Sequence, residues 1–377
     1  MSNIKKHIIA VAVLAASAGA AQAATSVTMY GRIDVGYEKS SGDFSTDPAK
    51  KALLQSSAGE LRIGFKGSED LGNGMAATFQ LEGRFDADTG VKSANRSFFD
   101  RESTVGLKFN LGKVASHYRV GRSISALEQG ISFVDLGRRA SAADVYYSAT
   151  RHSNALFANH SYGAFSWGAD VTTKGGYNDG PAKLNVAGAT DNMTLANEGA
   201  AAESIAWGAF AKYKANGLEV GVAYQADNAN KLTNPTLKTS GQSVDREWGV
   251  GAAYTYKMIT AGASYAAGKG DGSSALNEYK TRVFGGFVSA KVTPNDTINL
   301  VYRQNKNQLD TLATGTTSTY TKFNKYAIGY VHALSKRTSV YADFGRINKT
   351  VYKFATINPT TTKTHQNTFD IALRHAF

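Results

Sequence analysis

Hydrophobic and polar residues alternate along most of the chain with a period of two. Near the start, Val27, Met29 and Ile33 share one parity, whereas Arg32 and Asp34 have the other. This period is typical of a strand with one apolar and one polar face, and helical periodicity is hard to find. Runs of this kind predict sixteen strands, at residues 27–38, 59–69, 75–86, 98–110, 113–122, 147–160, 164–175, 204–214, 218–228, 245–256, 259–269, 279–292, 296–306, 322–334, 337–347 and 367–377.

The connections between these strands alternate in length. Short ones such as 71–74, 111–112 and 215–217 place Gly or Asn where a tight turn needs them. The others are long and rich in Ser, Thr, Asn, Gly and Asp, at residues 39–58, 87–97, 123–146, 176–203, 229–244, 270–278, 307–321 and 348–366. An even number of strands, with short turns at one end and long loops at the other, is the pattern of an outer-membrane barrel.

The polar face of the strands is too highly charged for the dry core of a soluble β-sandwich. Its charged and titratable members are Arg32, Asp34, Glu60, Arg62, Lys66, Glu82, Arg84, His117, Arg119 and Arg374. Buried ions without partners are strongly destabilising, whereas a water-filled lumen accommodates them. The sequence therefore predicts an all-β fold, a 16-stranded antiparallel transmembrane β-barrel with short periplasmic turns and long extracellular loops.

Composition adds an export signal and a positive charge to this picture. Residues 1–23 combine Lys5 and Lys6, an apolar stretch and a small-x-small cleavage site, which predicts a cleaved signal peptide. Residues 24–377 are then predicted to form a single barrel domain. The net charge of +12 falls to +10 once Lys5 and Lys6 are removed with the signal. A basic exported protein should meet anionic membrane surfaces or solutes and no nucleic acid. With no cysteine, the chain has neither disulfides nor thiolate metal sites.

Several segments resemble the general trimeric porins of Gram-negative bacteria, most closely the betaproteobacterial type. They are SVTMYGRID (26–34), LRIGFKGSEDLGNG (61–74), RESTVGL (101–107), YRVGR (118–122), GYVHALSKRT (329–338) and LRHAF (373–377). The resemblance implies a homotrimer of sixteen-stranded barrels in the outer membrane, with the third long loop folded into each lumen. In this chain that constriction loop is residues 123–146, approximately.

The resemblance also implies a constriction in which basic wall residues face the loop. By motif, the wall arginines are Arg62, Arg101 and Arg151, and strand parity adds Lys66, Arg84 and Arg119. The acidic candidates on the loop are Glu128, Asp135 and Asp144, although Arg138 and Arg139 also lie there.

Parity supports these assignments unevenly. Arg62 lies between Leu61 and Ile63, so it faces the lumen. Arg101 shares the parity of the lipid-facing positions further along its strand, which requires either a bulge or a place above the apolar band. Arg151 begins a run with poor alternation, so its facing stays open.

The predicted function is passive diffusion of small hydrophilic solutes and ions, with a mild preference for anions. The predicted partners are the homotrimer, outer-membrane lipid, lipopolysaccharide, the solutes, and the barrel-assembly machinery. The last would read a C-terminal signal made of Phe369, Ile371, Leu373 and Phe377. No cofactor, metal site or catalytic residue is predicted.

The sequence leaves three alternative functions. The first is a solute-specific channel with a binding site in the lumen. The second is an outer-membrane hydrolase, which is disfavoured because His152 and Ser153 are strand neighbours and would point to opposite faces. The third is an adhesin or receptor role for the loops at 176–203 and 348–366.

Overall fold

A computed structural model describes residues 26–43, 52–55, 61–86, 90, 98–134, 151–172, 205–227, 246–271, 277–311, 317–354 and 359–377. The predicted signal peptide at 1–23 lies outside these residues, as do Asp135, Asp144 and the rest of the loop after residue 134. Among the described residues, no helix is long and apolar enough to cross a membrane.

The described residues form one antiparallel sheet of seventeen strands, of which sixteen are long and one is short. In chain order they are β1 (Ser26–Gly42), β2 (Ala52–Gln55), β3 (Arg62–Gly72), β4 (Met75–Arg84), β5 (Glu102–Leu111), β6 (Val114–Ile124), β7 (Arg151–Tyr162), β8 (Phe165–Thr172), β9 (Ala206–Ala215), β10 (Leu218–Asp227), β11 (Arg246–Tyr256), β12 (Ile259–Asp271), β13 (Asn277–Lys291), β14 (Asp296–Thr311), β15 (Thr317–Ala333), β16 (Thr338–Phe354) and β17 (Thr360–Ala376).

The sheet closes on itself because β1 pairs with strands on both sides. Its first part pairs with β3, up to Arg32 opposite Arg62, and its later part pairs with β17, from Arg32 opposite Ala376. The short β2 pairs with β1 beyond the reach of β3. Closure removes the open edges that would otherwise pair with other chains. The predicted sixteen-stranded antiparallel barrel is confirmed, with β2 as an addition inside the first long connection.

The strands from β12 to β17 are longer than the sequence predicts. Most of the predicted loops at 307–321 and 348–366 is strand, because β14 runs to Thr311, β15 begins at Thr317, and β16 runs to Phe354. In this part of β14, residues 305–308 are polar on both faces, yet each one keeps its partner on β15. Alternation disappears there although the hydrogen-bonded ladder continues, so periodicity alone ends the strands too early.

The outer face of the barrel is apolar, with aromatic rings towards the short turns. Val105, Leu156 and Leu300 are among its exposed apolar residues. Lower down, the rings of Phe109 and Tyr118 stack with centroids 5.6 Å apart. An apolar band edged by aromatic residues is typical of a barrel that crosses an outer membrane.

Candidate functional site

The first part of the predicted constriction loop forms a short helix inside the barrel. This helix, α1, spans Ala126–Ile131 and continues into a 3-10 turn at Ser132–Val134. Ser125 caps it by accepting a hydrogen bond from the backbone N–H of Glu128, at 3.4 Å. Asp170 of the wall accepts a second one from the N–H of Ala126, at 2.6 Å. The wall therefore satisfies part of the helix N-terminus and fixes where the helix begins.

Apolar packing holds α1 against the inner face of the barrel. Leu127 and Ile131 are fully buried in a cluster with wall residues that include Phe210 and Val283. Val134 packs in a second cluster, with Phe287 among its wall neighbours. The predicted folding of this loop into the lumen is confirmed for its described part.

Glycines of the wall make room for this close approach. A Cβ atom at Gly221 would lie 2.0 Å from the carbonyl oxygen of Gly130 on the helix, and one at Gly249 would lie 2.6 Å from Ile131 Cδ1. Both separations are well below van der Waals contact. The glycines of β10 and β11 thus serve as a seat for the loop, a role that the strand pattern did not reveal.

Three arginines lie directly opposite one another on adjacent strands of the inner wall. Arg32 on β1 pairs in register with Arg62 on β3, which pairs with Arg84 on β4. Like charges in this arrangement destabilise a sheet. Two carboxylates offset the repulsion, since Glu82 lies 3.8 Å from Arg62 and Asp100 lies 3.3 Å from Arg84. We call Arg32, Arg62 and Arg84 the arginine row.

Arg101 and Arg151 lie within the wall, and both are more than nine-tenths buried. The Arg101 guanidinium pairs with Glu82, and Arg151 Nε donates to the carbonyl oxygen of Arg101 at 2.9 Å. Arg101 precedes β5, so the parity of that strand does not fix its direction. The poor alternation after Arg151 has its own cause, a bulge at which Asn154 takes a φ of +50°.

Arg119 connects the basic wall to the loop. It donates to Ser123 Oγ at 2.8 Å and to Asn159 Oδ1 at 3.2 Å. Asn159 in turn donates to Gln129 Oε1 on α1, at 2.6 Å. A continuous hydrogen-bonded chain therefore runs from the wall to the helix.

The remaining predicted residues are placed as follows. Lys66 is exposed on the inner face, with Nζ 5.2 Å from the centre of the Tyr30 ring. Glu128 is half-buried on α1, whose buried side is formed by its neighbours Ala126, Leu127, Gly130 and Ile131. The structure thus gathers Arg62, Arg84, Arg119 and Lys66 on the inner wall, while the roles of all these residues in solute passage stay predictions.

Arg32, Glu82 and Arg122 are not among the residues that the sequence predicts for the site. Arg32 and Glu82 have lumenal parity, so the cross-strand register would have identified them. Arg122 is buried beside the bulge and donates from Nε to the carbonyl oxygen of Asp100, at 2.7 Å. No signal in the sequence marks that contact.

Comparison with known proteins identifies the family. A family model described as Gram-negative porin matches residues 10–351. This chain belongs to the Gram-negative porin family. An outer membrane porin of Bordetella pertussis is 27% identical to it, over 90% of this chain and 93% of that protein. Outer membrane porin protein 32 of Delftia acidovorans is 30% identical, over 90% and 88%.

Solved structures share the fold of this porin. An anion-selective porin from Comamonas acidovorans superposes with a TM-score of 0.64 at 22% identity, covering 94% of this chain and all of that one. The trimer form of OmpT from Vibrio cholerae superposes with a TM-score of 0.62 at 14% identity, covering 94% and 100%.

The porin is therefore an outer-membrane channel for passive diffusion of small hydrophilic solutes. Its closed barrel supplies the pore, its polar inner wall keeps the pore wet, and α1 narrows it. The relatives of this porin, and its family, are channels rather than enzymes. Among the residues that the structure describes, no group of three or more His, Asp or Glu side chains is arranged to hold a metal ion.

Proposed function

We propose that this porin has a mild preference for anions, set by the arginine row. The observation that carries the proposal is the direct register of Arg32, Arg62 and Arg84 across three strands. Such a row costs stability in the sheet, so an interaction with passing solutes accounts for its presence. The Arg62 and Arg84 side chains keep 26% and 17% of their surface exposed, enough to meet a solute.

Selectivity arises because low-dielectric barrel walls concentrate the field of fixed charges in the lumen. Guanidinium groups offer planar pairs of hydrogen-bond donors to carboxylates and phosphates. Binding stays weak enough for release, because Glu82 and Asp100 neutralise part of the charge. Towards the short turns, a cavity of about 580 Å³ lined by Lys108 and Lys212 continues the basic path. The predicted acidic residues Glu128, Asp135 and Asp144 complete the constriction in this proposal.

The proposal extends to assembly and partners. The porin forms a homotrimer, by analogy with the trimer form of OmpT. Its partners are outer-membrane lipid, lipopolysaccharide, the solutes and the barrel-assembly machinery. Phe369, Ile371 and Leu373 are exposed on the outer face of β17, where the assembly machinery has access to them. The signal peptide at 1–23 and the single domain at 24–377 belong to the same proposal.

Planar-bilayer recording under a salt gradient tests the proposed selectivity. The native porin should give a reversal potential of anionic sign. The double variant Arg62→Gln/Arg84→Gln should shift that potential towards cations with the channel still open. Arg346→Gln removes a positive charge from the exposed outer face and should leave it unchanged. A native reversal potential of cationic sign would overturn the proposal.

A further inference from the structure

His152 is a fully buried histidine at the start of β7, where it pairs with Ser123 on β6. Buried polar side chains almost always have hydrogen-bond partners. Nδ1 of the His152 ring has one, because it is hydrogen-bonded to Oδ2 of Asp170 on β8. Both side chains are completely shielded from solvent. The pair therefore belongs to the interior of the wall and is not in contact with passing solutes.

Asp170 is also the wall residue that holds the start of α1. Its other carboxylate oxygen, Oδ1, accepts the hydrogen bond from the backbone N–H of Ala126, at 2.6 Å. Asp170 lies opposite Gly208 on β9, where a Cβ atom would stand 2.9 Å from Cβ of Ala126. The helix thus begins against the wall at this glycine. Because His152 and Ala126 bind the two oxygens of one carboxylate, the orientation of that carboxylate links them.

A bulge in β7 brings the His152 ring to Asp170. Along β7, Ser153 and Asn154 lie between the paired residues His152 and Ala155, whereas a single residue separates their two partners on β6. Asn154 takes a φ of +50° at this point. Pairing of β7 with β8 begins only at Ala155, yet the ring of His152 reaches Asp170. Bulges redirect side chains in this way and are frequent beside functional sites.

The hydrogen bonds assign the proton of the His152 ring. A neutral imidazole has one N–H donor and one acceptor nitrogen, and a carboxylate only accepts, so Nδ1 carries the proton that is donated to Asp170. Nε2 is buried and has no hydrogen-bond partner among the residues that the structure describes. A second proton there would bury a charged ring whose N–H has no acceptor, which is strongly unfavourable. The neutral ring with the proton on Nδ1 fits this position.

We propose that His152 is a positioning residue for the aperture, the passage that α1 leaves open in the lumen. Its Nδ1–H fixes the Asp170 carboxylate in the rotamer whose free oxygen accepts from Ala126. The start of the helix is thus held by a side chain that is itself held by the wall. His152 acts through Asp170 and not on the solute. This role is independent of the proposed anion preference, because a neutral ring adds no charge to the lumen.

Hydrogen exchange of the intact porin in detergent tests this role at the backbone amide of Ala126. His152→Leu removes the donor, so Asp170 is free to turn and Ala126 loses its acceptor for part of the time. The loss of one hydrogen bond at a helix N-terminus should increase the population of the released helix start, and with it the exchange rate of this amide, about five-fold. The matched control is His160→Leu on the same strand, whose ring is hydrogen-bonded to Ser116 Oγ at 3.0 Å. It should exchange like the native porin.

A conservative variant separates the hydrogen bond from the filling of space. His152→Asn places an N–H donor at the same distance along the side chain as Nδ1, so Ala126 should exchange at the native rate. The proposal is overturned if His152→Leu exchanges like the native porin, or if His152→Asn exchanges as fast as His152→Leu. If His152→Leu does not fold, His152→Phe, which keeps a flat ring without an N–H, takes its place with the same criteria.

Two further readouts connect the hydrogen bond to the pore. The noise of the open-channel current should be larger in His152→Leu than in the native porin and in His152→Asn, because the helix start moves beside the aperture. Equal noise in all three would overturn the positioning role. Nitrogen NMR shifts of the His152 ring, identified by their absence in His152→Asn, should show the proton on Nδ1. A ring that carries its proton on Nε2 alone would also overturn the proposal.

Discussion

At the scale of single residues, the wall separates charges that solute can reach from charges that hold the wall together. Arg62 and Arg84 stay partly exposed, whereas Arg101 is buried against Glu82. Glu82 pairs with an arginine of each kind, because it also lies 3.8 Å from the partly exposed Arg62. Removing a carboxylate from such a pair leaves a buried cation without its counter-charge.

Replacing Glu82 should therefore change both stability and selectivity. Glu82→Gln should lower the free energy of unfolding by about 1.5–3 kcal/mol, the usual contribution of a charged hydrogen bond. It should also increase anion preference, because the arginine row loses a neutralising charge. Thermal unfolding and the reversal potential measure the two effects.

The matched control is Glu69→Gln, an exposed position on the same strand as Arg62. It should leave both quantities unchanged. If Glu82→Gln leaves the stability and the reversal potential unchanged, as this control does, Glu82 neither stabilises the wall nor neutralises the arginine row.

At the scale of elements, the position of α1 depends on wall residues that have no side chain. Gly221 and Gly249 have no side chains, and the backbone and side chains of the helix occupy that space. Any Cβ at Gly221 must displace the backbone of Gly130, because the contact is with a carbonyl oxygen rather than a flexible side chain.

Gly221→Ala should thus move the loop towards the centre of the lumen and lower the unit conductance. The control is Gly286→Ala, because a Cβ there would find its closest neighbour at 3.5 Å, an ordinary contact. Single-channel recording measures the unit conductance of both variants. Equal conductance in the two would show that the seat does not set the position of the loop.

The strands also show how far the sequence predicts the fold and the facing of the site residues. Parity placed Arg62 correctly because its strand pairs with both neighbours in unbroken register at that point. It did not place Arg101, which precedes its strand, or Arg151, which follows a loop and precedes the bulge at Asn154. It also ended β14 too early, since both faces of that strand become polar. Periodicity predicts strands only where the two faces meet different solvents.

At the scale of the whole molecule, the barrel is closed by side chains as well as by the ladder. Asp34 on the first strand accepts hydrogen bonds from Tyr341 on β16, at 2.7 Å, and from Arg374 on β17, at 2.8 Å. The Arg374 guanidinium also lies 4.6 Å from the centre of the Tyr341 ring. In addition, the backbones of Gly31 and Phe377 exchange hydrogen bonds of 3.1 and 3.2 Å.

Asp34→Asn should weaken this closure and lower the melting temperature of the folded barrel. The Asn side chain keeps the shape but loses the charge that pairs with Arg374, at a cost of about 1–3 kcal/mol. Heat-dependent mobility on a gel measures it, and Asp70→Asn at the exposed end of β3 is the control. Equal melting of both variants would mean that the ladder alone closes the barrel.

The loop seat has a consequence for how such channels diversify and how they are engineered. Among the described residues, α1 shares no backbone hydrogen bond with the wall and is held by side-chain packing and side-chain hydrogen bonds. The backbone ladder of the scaffold thus does not include the aperture loop, and only side chains join the two. Mutations can resize or recharge the aperture while the scaffold keeps its register, which suits the barrel to use as a tunable nanopore.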